Sequence, residues 1–443
     1  MGTNDPTQID GLQEELRATH WSLTTRVAFR FCFVYFGLYC LTTQILGSLF
    51  SNPEVDVPDP STLWPMRQII FWTASHIFRV THPLVYSGSG SGDKTFDWVA
   101  AFCLLVFAVL ATLVWSALDR RRENYATLDK WFRVFIRFAL ASQMFSYGLA
   151  KIVPLQMPFP YLTKLLEPYG NFSPMGVLWS AVGASPAYEI FAGSAEALAG
   201  FLLIFPRLTT LGALVCLIDS AYIFTLNMTY DVPVKLFAFH LILMSLFLLA
   251  PEFSRLADFF LSNRAAAPST QLPLFRTRRA NRIALAVQIV VGMWLVGINA
   301  YGSWSEWHTF GGGRPKSALY GIWSVEQLSI DGQTRSPLLN DYDRWRRLVF
   351  DFPERMTFQR MDDSYAGYGV SINTNDKTLA LTKNDDKNWK ADFHFSRAAP
   401  DQLVLDGNMD GHTIHMQLQL VDRSKFLLVS RGFHWIQEYP YNR

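Results

Sequence analysis

Long apolar stretches alternate with short polar ones over roughly the first 300 residues of the chain. A helix that crosses the hydrocarbon core of a membrane needs about 20 mostly apolar residues, and by this measure the pattern predicts about seven such helices. They cover residues 26–50, 97–118, 132–153, 187–206, 208–227, 234–251 and 283–301. The stretch 63–86 contains too many polar residues to cross, and it predicts a helix that lies at the membrane surface.

The pattern changes beyond Gly311, where apolar and polar residues alternate in short runs. Turn-forming pairs such as Asp-Gly separate these runs at a spacing of roughly ten residues. Alternation with a period of two predicts about eight or nine antiparallel strands between Leu319 and Ile436, enough to close a small barrel. The predicted fold class is therefore a polytopic α-helical membrane bundle followed by an antiparallel β-barrel.

These patterns predict four parts, namely an N-terminal segment 1–25, a helical transmembrane domain 26–301, a linker 302–318 and a barrel domain 319–443. Shorter segments have the composition of loops. The sequence SGSGSGD (87–93) is typical of a flexible linker. Residues 263–276 predict a cytoplasmic linker, and residues 154–186, rich in proline and aromatic residues, are expected at the outer membrane surface.

Basic residues are distributed unevenly among the loops. The clusters at 17–30, 120–133 and 255–282, together with Arg207, all fall on one side if the seven predicted spans are real. Short cytoplasmic loops carry an excess of Lys and Arg, so this side is expected to face the cytoplasm. Because the segment 1–25 also lacks a signal peptide, we expect a cytoplasmic N-terminus and an extracytoplasmic barrel at a bacterial inner membrane.

The composition is that of a membrane protein with a soluble part. Hydrophobic residues make up 50% and charged residues 17% of the 443 residues, whereas charged residues make up about 25% of a typical soluble domain. A net charge of +2 gives no reason to expect a nucleic-acid partner. The four cysteines lie in apolar stretches without a CxxC motif, which argues against zinc or dithiol chemistry in this chain alone.

Ionisable residues inside predicted spans are costly and therefore mark candidate sites. Lys151 lies four residues after Tyr147 near the outer end of the third span, where it either extends to the interface or faces a carboxylate. Glu196 lies among glycine and alanine residues near the middle of the fourth span. Such small residues let helices approach closely, so we expect Glu196 at a helix–helix contact, where it either holds helices together or handles protons.

The fifth and sixth spans add further candidates. Asp219 lies near the middle of the fifth span. Asp231, followed by Pro233, is the predicted N-cap of the sixth span, and Lys235 is positioned to pair with Asp231. His240 lies deeper in the sixth span, where it is either a structural hydrogen-bonding group or a proton carrier.

The block from Arg137 to Glu252 resembles the DoxX family of bacterial membrane proteins. The resemblance rests on RFALASQMFSYGLAKI (137–152), GSAEALAGFLLIFPRLTTLGAL (193–214), the helix with Asp219, and VPVKLFAFHLILMSLFLLAPE (232–252). It covers about a quarter of the chain and places a DoxX-like core at 132–252. The resemblance implies a membrane subunit of a redox system, in a family of which some members reduce quinone.

Two further resemblances concern the architecture. A helical bundle followed by a β-rich domain is similar to vitamin K-dependent carboxylase-like (HTTM) proteins. The C-terminal region looks like a lipocalin-type barrel through Gly321-Ile322-Trp323 and the late Arg431. Because the first and last strands of a closed barrel pair, we expect a Trp–Arg stacking contact near that junction, which Arg431 and Trp435 approach.

The resemblance to DoxX proteins suggests roles for the buried polar residues. We predict Lys151, Glu196 and His240 as catalytic residues, and Tyr147, Asp219, Asp231 and Lys235 as cofactor-binding residues, with no metal site. The cofactor is then a quinone or a lipid in the bundle. Since the sequence shows no haem or iron–sulfur ligand spacing, electrons would come from a redox partner protein. The alternatives are a non-enzymatic assembly or stress-protection protein whose barrel binds lipid or protein, and a carboxylase-like membrane enzyme.

Overall fold

The computed structural model describes residues 20–50, 58–262, 264–265, 273–383, 385–386 and 389–442. Most of the predicted segment 1–25 and part of the predicted linker 263–276 lie outside the described residues. The chain divides into two compact units. They are Met1–Gln156 with Ala187–Ser305, and Met157–Pro186 with Glu306–Arg443. The barrel thus shares a unit with a segment from between two helices of the first unit.

The structure describes several helices before the barrel, and the longer ones lie close to the predicted apolar stretches. They are α1 (Leu23–Thr42), α2 (Gln44–Phe50), α3 (Met66–His76), α4 (Thr95–Leu118), α5 (Ala126–Ile152), α6 (Pro174–Gly183), α7 (Pro186–Ile204), α8 (Thr209–Thr229), α9 (Lys235–Leu249), α10 (Phe253–Phe260) and α11 (Arg278–Thr309). Among the described residues, five helices are long and apolar enough to cross a membrane: α4, α7, α8, α9 with α10, and α11. The pair α1–α2 is a sixth if it counts as one span.

The predicted span 26–50 is not one straight helix. Helices α1 and α2 are bent by 70° at the break between them. The hydroxyls of Thr42 and Thr43 donate to the carbonyl oxygens of Leu38 and Tyr39, both at 2.8 Å. Such back-bonding by threonine bends helices. The bend starts a new helix at Gln44, within reach of side chains on α5.

Helix α5 corresponds to the predicted span 132–153 and is enclosed along its middle. Every residue of 136–145 is buried, so neighbouring helices cover all of its faces. It also has five charged residues along its length, and it is not among the apolar helices that could cross a membrane. The count of seven spans is therefore not confirmed. Within the predicted surface helix 63–86, the α-helix covers only α3. This helix buries Ile70 and Ala74 against Phe96 and Val99.

Two arginines of α5 close the ends of neighbouring helices. The guanidinium of Arg137 donates to the carbonyl oxygens of Leu203 and Ile204 at the end of α7, at 2.9 and 2.8 Å. Arg133, one turn earlier, donates to the carbonyl oxygen of Phe247 near the end of α9 at 3.0 Å. The last carbonyls of a helix have no partner inside the helix, so these contacts satisfy them. Arg133, expected as an orientation signal, thus also joins two helices.

The second unit contains a closed antiparallel barrel. Its strands are β1 (Gly321–Ile330), β2 (Gln333–Thr334), β3 (Trp345–Phe352), β4 (Arg355–Arg360), β5 (Tyr365–Asn373), β6 (Thr378–Thr382), β7 (Lys390–Ser396), β8 (Gln402–Met409) and β9 (His412–Leu420). Strand β2 forms a short ribbon with β1, and the other eight close the barrel through pairing of β1 with β9. The predicted barrel is therefore confirmed. Its last strand ends at Leu420 rather than near Ile436, and the short helix α12 (Leu427–Ser430) follows.

The predicted Asp-Gly turns form two-residue hairpins. Asp331 and Gly332 join β1 to β2 with φ angles of 52° and 77°, and Asp410 and Gly411 join β8 to β9 with φ angles of 53° and 80°. Positive φ at both central residues is the geometry of a type I′ turn, which glycine and aspartate tolerate best. These turns fix the register of the strands that flank them.

Side chains fill the interior of the barrel. Along β7, Ala391, Phe393 and Phe395 are buried, whereas Asp392 and His394 between them are exposed. The other strands contribute leucine, valine, isoleucine, methionine, phenylalanine and tryptophan to the same core. An eight-stranded barrel is just wide enough for side chains to fill it. The interior is therefore a packed core.

The expected Trp–Arg contact involves a different arginine. Arg397, after β7, lies with its guanidinium carbon 5.4 Å from the ring centroid of Trp323. Arg431 instead lies 4.7 Å from the ring of Tyr441, and Trp435 is 88% exposed. The expectation for Arg431 and Trp435 was wrong because the chain leaves the barrel after Leu420 and turns into α12, so neither residue reaches the closing strands.

The segment 157–186 is attached to the barrel through Asp351 of β3. Its carboxylate accepts a hydrogen bond from the Leu162 backbone N–H at 2.9 Å and forms an ion pair with Arg314. The side chain of Leu162 packs against Ile322 and Val349 in a small apolar cluster. This attachment explains why the segment belongs to the barrel unit.

Candidate functional site

Helices α5 and α7 contact each other through two glycines. A Cβ atom on Gly148 would lie 2.8 Å from both the Ala197 nitrogen and the Gly193 carbonyl oxygen. A Cβ atom on Gly193 would lie 2.5 Å from the Gly148 carbonyl oxygen. Only glycine allows backbones to approach this closely. The two backbones are therefore in direct contact at this point.

This contact brings Lys151 and Glu196 together. Each lies three residues after its glycine, Gly148 or Gly193, and hence about one turn further on the same helix face. The Lys151 ammonium donates to Glu196 Oε1 in a buried ion pair, with side chains 9% and 2% exposed. The expected partner of Lys151 is thus Glu196. The second carboxylate oxygen of Glu196, Oε2, is buried without a hydrogen-bond partner among the described residues.

Asp219 of α8 adds a second carboxylate. It lies within electrostatic range of both Glu196 and Lys151, and its Oδ2 is also buried without a hydrogen-bond partner among the described residues. Two carboxylates therefore lie in the field of one ammonium, and Glu196 is the one paired with it. Carboxylates inside membrane helices are costly, and they commonly take part in proton relays. The arrangement is suited to holding and releasing one proton inside the bundle.

Tyr147 lies beside this pair. Its ring centroid is 5.9 Å from the Lys151 ammonium, and its hydroxyl accepts a hydrogen bond from Gln44 Nε2 at 2.9 Å. Gln44 Nε2 also lies 3.4 Å from Oε1 of the buried Gln143. Sequence reasoning missed both glutamines, because Gln44 reaches this place only through the bend between α1 and α2. We call Lys151, Glu196, Asp219, Tyr147, Gln44 and Gln143 the carboxylate cluster.

His240 belongs to a different group of side chains. Its Nδ1 lies 2.7 Å from the Leu236 carbonyl oxygen, which can only accept, so Nδ1 carries the hydrogen. Its Nε2 then accepts from the Tyr35 hydroxyl at 2.8 Å, and Tyr39 stacks on the ring with centroids 3.7 Å apart. The Nδ1 contact stays within α9, whereas the Nε2 contact and the Tyr39 stacking pack α9 against α1. Within the described residues, no hydrogen bond or ion pair joins His240 to Lys151 or Glu196.

Asp231 and Lys235 lie at the start of α9, also outside the cluster. Their side chains pair at 3.1 Å, with Asp231 83% exposed. The expectation that Asp231 caps this helix was wrong. Asp231 lies in a turn with a φ of 53°, and Asp93 caps the helix instead. Its two carboxylate oxygens accept from the backbone N–H groups of Lys235 and Leu236 at 2.7 and 2.9 Å.

The predicted flexible linker 87–93 is therefore anchored at its end. Besides the Asp93 cap, the Gly92 N–H donates to the Pro233 carbonyl oxygen at 2.8 Å. Asp93 also lies 3.8 Å from the Lys235 ammonium. Sequence reasoning missed Asp93, because a cap 142 residues away from its helix leaves no local sequence signal.

Comparison with known proteins gives one relative. No family model matches the chain, and no solved structure matches it significantly. Over 129 residues the chain is 35% identical to the uncharacterized protein YwoB of Bacillus subtilis (strain 168). The matched region is 29% of this chain and 79% of YwoB. The resemblance to DoxX and HTTM proteins stays a prediction, and the name YwoB states no activity. At this identity and coverage, the chain belongs to the same family as YwoB.

Proposed function

We propose that the chain is a multi-pass protein of a bacterial inner membrane, with a cytoplasmic N-terminus and an extracytoplasmic barrel. The apolar helices support insertion. Helices α4 and α11 in particular expose long apolar faces, and lipid is the natural solvent for such faces. The basic residues at one end of the helices support the orientation.

Within that membrane domain, the carboxylate cluster is proposed to exchange protons with a bound quinone. The observation that carries this proposal is the position of Glu196 and Asp219, two carboxylates inside the bundle that both lie within electrostatic range of the Lys151 ammonium, with which Glu196 is paired. Reduction of a quinone to a quinol takes up two electrons and two protons. The cluster would pass the two protons to the quinone oxygens one after the other, and it would take up a proton from water after each transfer, while Lys151 balances the carboxylate that is left ionised. Electrons would come from a reduced partner protein, as the resemblance to DoxX proteins implies.

The roles of the other predicted residues are revised in this proposal. Tyr147 would orient a quinone carbonyl beside the cluster, since its hydroxyl accepts from Gln44 and keeps its own hydrogen to donate. His240, Asp231 and Lys235 are assigned to holding helix α9, on the basis of their contacts. A carboxylase-like reaction that needs Lys151 and His240 on one substrate gains no support, because they lie in separate groups.

The test is quinone binding by the full chain in detergent. A short-chain benzoquinone is titrated into the protein, and quinones that co-purify are measured by mass spectrometry. Glu196→Gln and Asp219→Asn keep the side-chain volume and remove the charge, so we expect both to lose bound quinone. Asp231→Asn is the matched control, since it removes an exposed carboxylate outside the cluster. If both cluster variants bind the same quinone content as the unmodified protein and differ only in Tm, the cluster is structural.

The second candidate is a non-enzymatic assembly protein whose barrel binds a protein or lipid. The filled interior of the barrel leaves its outer surface for such binding. The segment after α12 exposes several aromatic side chains, with Phe433 at 81% and Tyr439 at 84%. Cross-linking of intact cells through a photoreactive residue at position 433 would test it. Capture of a single defined protein or lipid supports this candidate, and the absence of any adduct contradicts it.

A further inference from the structure

A large cavity lies toward the opposite end of the helical unit from the carboxylate cluster. Its volume is about 1970 Å³, whereas pockets for small ligands typically have about 300–1,000 Å³. Arg137 on its wall is fourteen residues from Lys151 on the same helix, which corresponds to about 21 Å along the axis. The cavity is therefore separate from the cluster.

Much of the wall of the cavity is apolar. It is formed by the beginning of α1, the first half of α5, the joint between α7 and α8, the end of α9, helix α10 and the beginning of α11. The apolar side chains include Phe29, Phe205, Leu211, Leu214, Phe259 and Phe260. Several of them keep a large exposed surface, such as Phe259 at 62% and Phe260 at 66%. This wall suits a hydrocarbon chain better than a soluble metabolite.

The polar part of the wall is strongly basic. Seven lysine and arginine residues line the cavity against two acidic residues, Asp129 and Glu252. Asp129 pairs with Arg133 at 2.8 Å, and Glu252 pairs with Arg255. Each of the two acidic side chains is thus already paired with an arginine three or four residues further along the chain. The wall therefore has a net positive charge that a bound anion would complement.

Three arginines are available for that anion. Arg207 lies in the joint between α7 and α8, and Arg278 and Arg282 lie one turn apart at the start of α11. All three are exposed, and within the described part of the chain their side chains make no hydrogen bond or ion pair. Guanidinium groups bind phosphate oxygens in pairs, with geometric as well as electrostatic complementarity.

We propose that this cavity binds an anionic phospholipid, with its phosphate at Arg207, Arg278 and Arg282 and its acyl chains along the aromatic and leucine side chains. Basic pockets between membrane helices recognise anionic head groups in this way. The combination of charge and apolar surface selects this ligand class: a soluble phosphate would leave the apolar wall uncovered, and a neutral lipid would leave the arginines unbalanced. This inference does not rest on the proposed quinone chemistry.

The test measures binding of fluorescent phosphatidylglycerol to the delipidated full chain in neutral detergent. The triple variant Arg207→Gln, Arg278→Gln, Arg282→Gln removes the proposed phosphate ligands. Each basic residue near a membrane surface contributes about 1 kcal/mol to anionic lipid binding, so the affinity is expected to fall at least tenfold. The matched control is Arg120→Gln, Arg276→Gln, Arg279→Gln. It removes the same charge from exposed positions outside the cavity wall and is expected to bind within threefold of the unmodified protein.

Two further arms of the experiment distinguish the ligand. Phosphatidylcholine with the same acyl chains is expected to bind at least tenfold more weakly than phosphatidylglycerol, and inorganic phosphate at equal concentration is expected to displace neither. Displacement by inorganic phosphate would show a site for a soluble anion and overturn the proposal. Equal binding of both lipids, unaffected by the triple variant, would show that the arginines do not select the head group and would also overturn the proposal.

Discussion

The Cβ position of Gly193 lies 2.5 Å from the carbonyl oxygen of Gly148, so α5 and α7 touch through their backbones. An added methyl group must push the helices apart. Gly193→Ala is therefore expected to lower the free energy of unfolding by about 1–3 kcal/mol, as overpacking typically does. Gly297→Ala on α11 is the control, because its Cβ would meet nothing within 4 Å. The comparison is made by thermal unfolding of the full chain in detergent, and equal Tm values for the two variants would contradict the contact.

The buried ion pair makes a second prediction. Lys151→Met and Glu196→Leu each leave one charge buried without its partner, and each is expected to cost about 3–5 kcal/mol of stability. The double variant replaces the pair by apolar side chains, so it is expected to be more stable than either single variant. A double-mutant cycle of unfolding free energies measures this coupling. Additive losses, with no recovery in the double variant, would mean that the two side chains do not act as a pair.

Parts of this site were predictable from the sequence. Small residues around Glu196 indicated a close helix contact, and the charge of Lys151 required a partner or the interface. The sequence left open which carboxylate is the partner, because Glu196 and Asp219 are both inside apolar helices. The choice depends on which helices approach most closely, and that is decided by the packing of Gly148 against Gly193. Local pattern carries no direct signal for such a long-range choice.

In the fold, too, features set by the local sequence were predictable, and features set by long-range packing were not. Apolar runs and alternating runs located the helices and strands, since period and length are local properties. The break at Thr43 and the enclosure of α5 were not predicted. The break depends on two hydroxyls that bond back to the helix, and the enclosure depends on how many neighbours surround one helix. Sequence reasoning treated Arg137 only as the first residue of the DoxX-like block, although its guanidinium bonds to the last carbonyl oxygens of α7.

The cap of helix α9 makes a third prediction. Asp93→Ala removes the acceptor for the N–H groups of Lys235 and Leu236, and the loss of a cap typically costs about 0.5–2 kcal/mol. Asp231→Ala, at the position that the sequence favours as the cap, is expected to change stability by less than about 0.5 kcal/mol, as exposed ion pairs do. Hydrogen exchange at Lys235 and Leu236 separates the two variants. Faster exchange in Asp231→Ala than in Asp93→Ala would reverse the assignment.

The barrel makes a prediction about pH. Hydrogen bonds from the His412 ring and the Thr413 N–H hold the pKa of Asp331 below its ordinary value. Because the folded pKa lies below the unfolded one, the carboxylate stabilises the folded barrel above about pH 4, and this contribution is lost as the pH falls through the folded pKa. Asp331→Asn is therefore expected to lower the urea midpoint for loss of β9 amide protection at pH 7, with a smaller difference at about pH 2.

The control for this experiment is Asp392→Asn on β7. Asp392 is exposed, and among the described residues its side chain has no hydrogen bond. The two variants remove the same charge from the barrel surface, so any general effect of net charge appears in both. An equal pH dependence of the urea midpoint in Asp331→Asn and Asp392→Asn would show that the His412 contact contributes nothing specific.

The fifth prediction compares how much the barrel core and the C-terminal segment contribute to stability. Trp323 represents the core, and Trp435 represents the segment. Trp323 is 1% exposed, its indole N–H donates to the Leu319 carbonyl oxygen at 2.8 Å, and Arg397 covers its ring. Trp323→Ala is therefore expected to cost about 3–5 kcal/mol, the usual cost of removing a large aromatic side chain from a core. Trp435→Ala removes an exposed side chain and is expected to change the unfolding free energy by less than about 0.5 kcal/mol. A large loss of stability in Trp435→Ala would instead place the C-terminal segment against the barrel, as the resemblance to lipocalin-type barrels first implied.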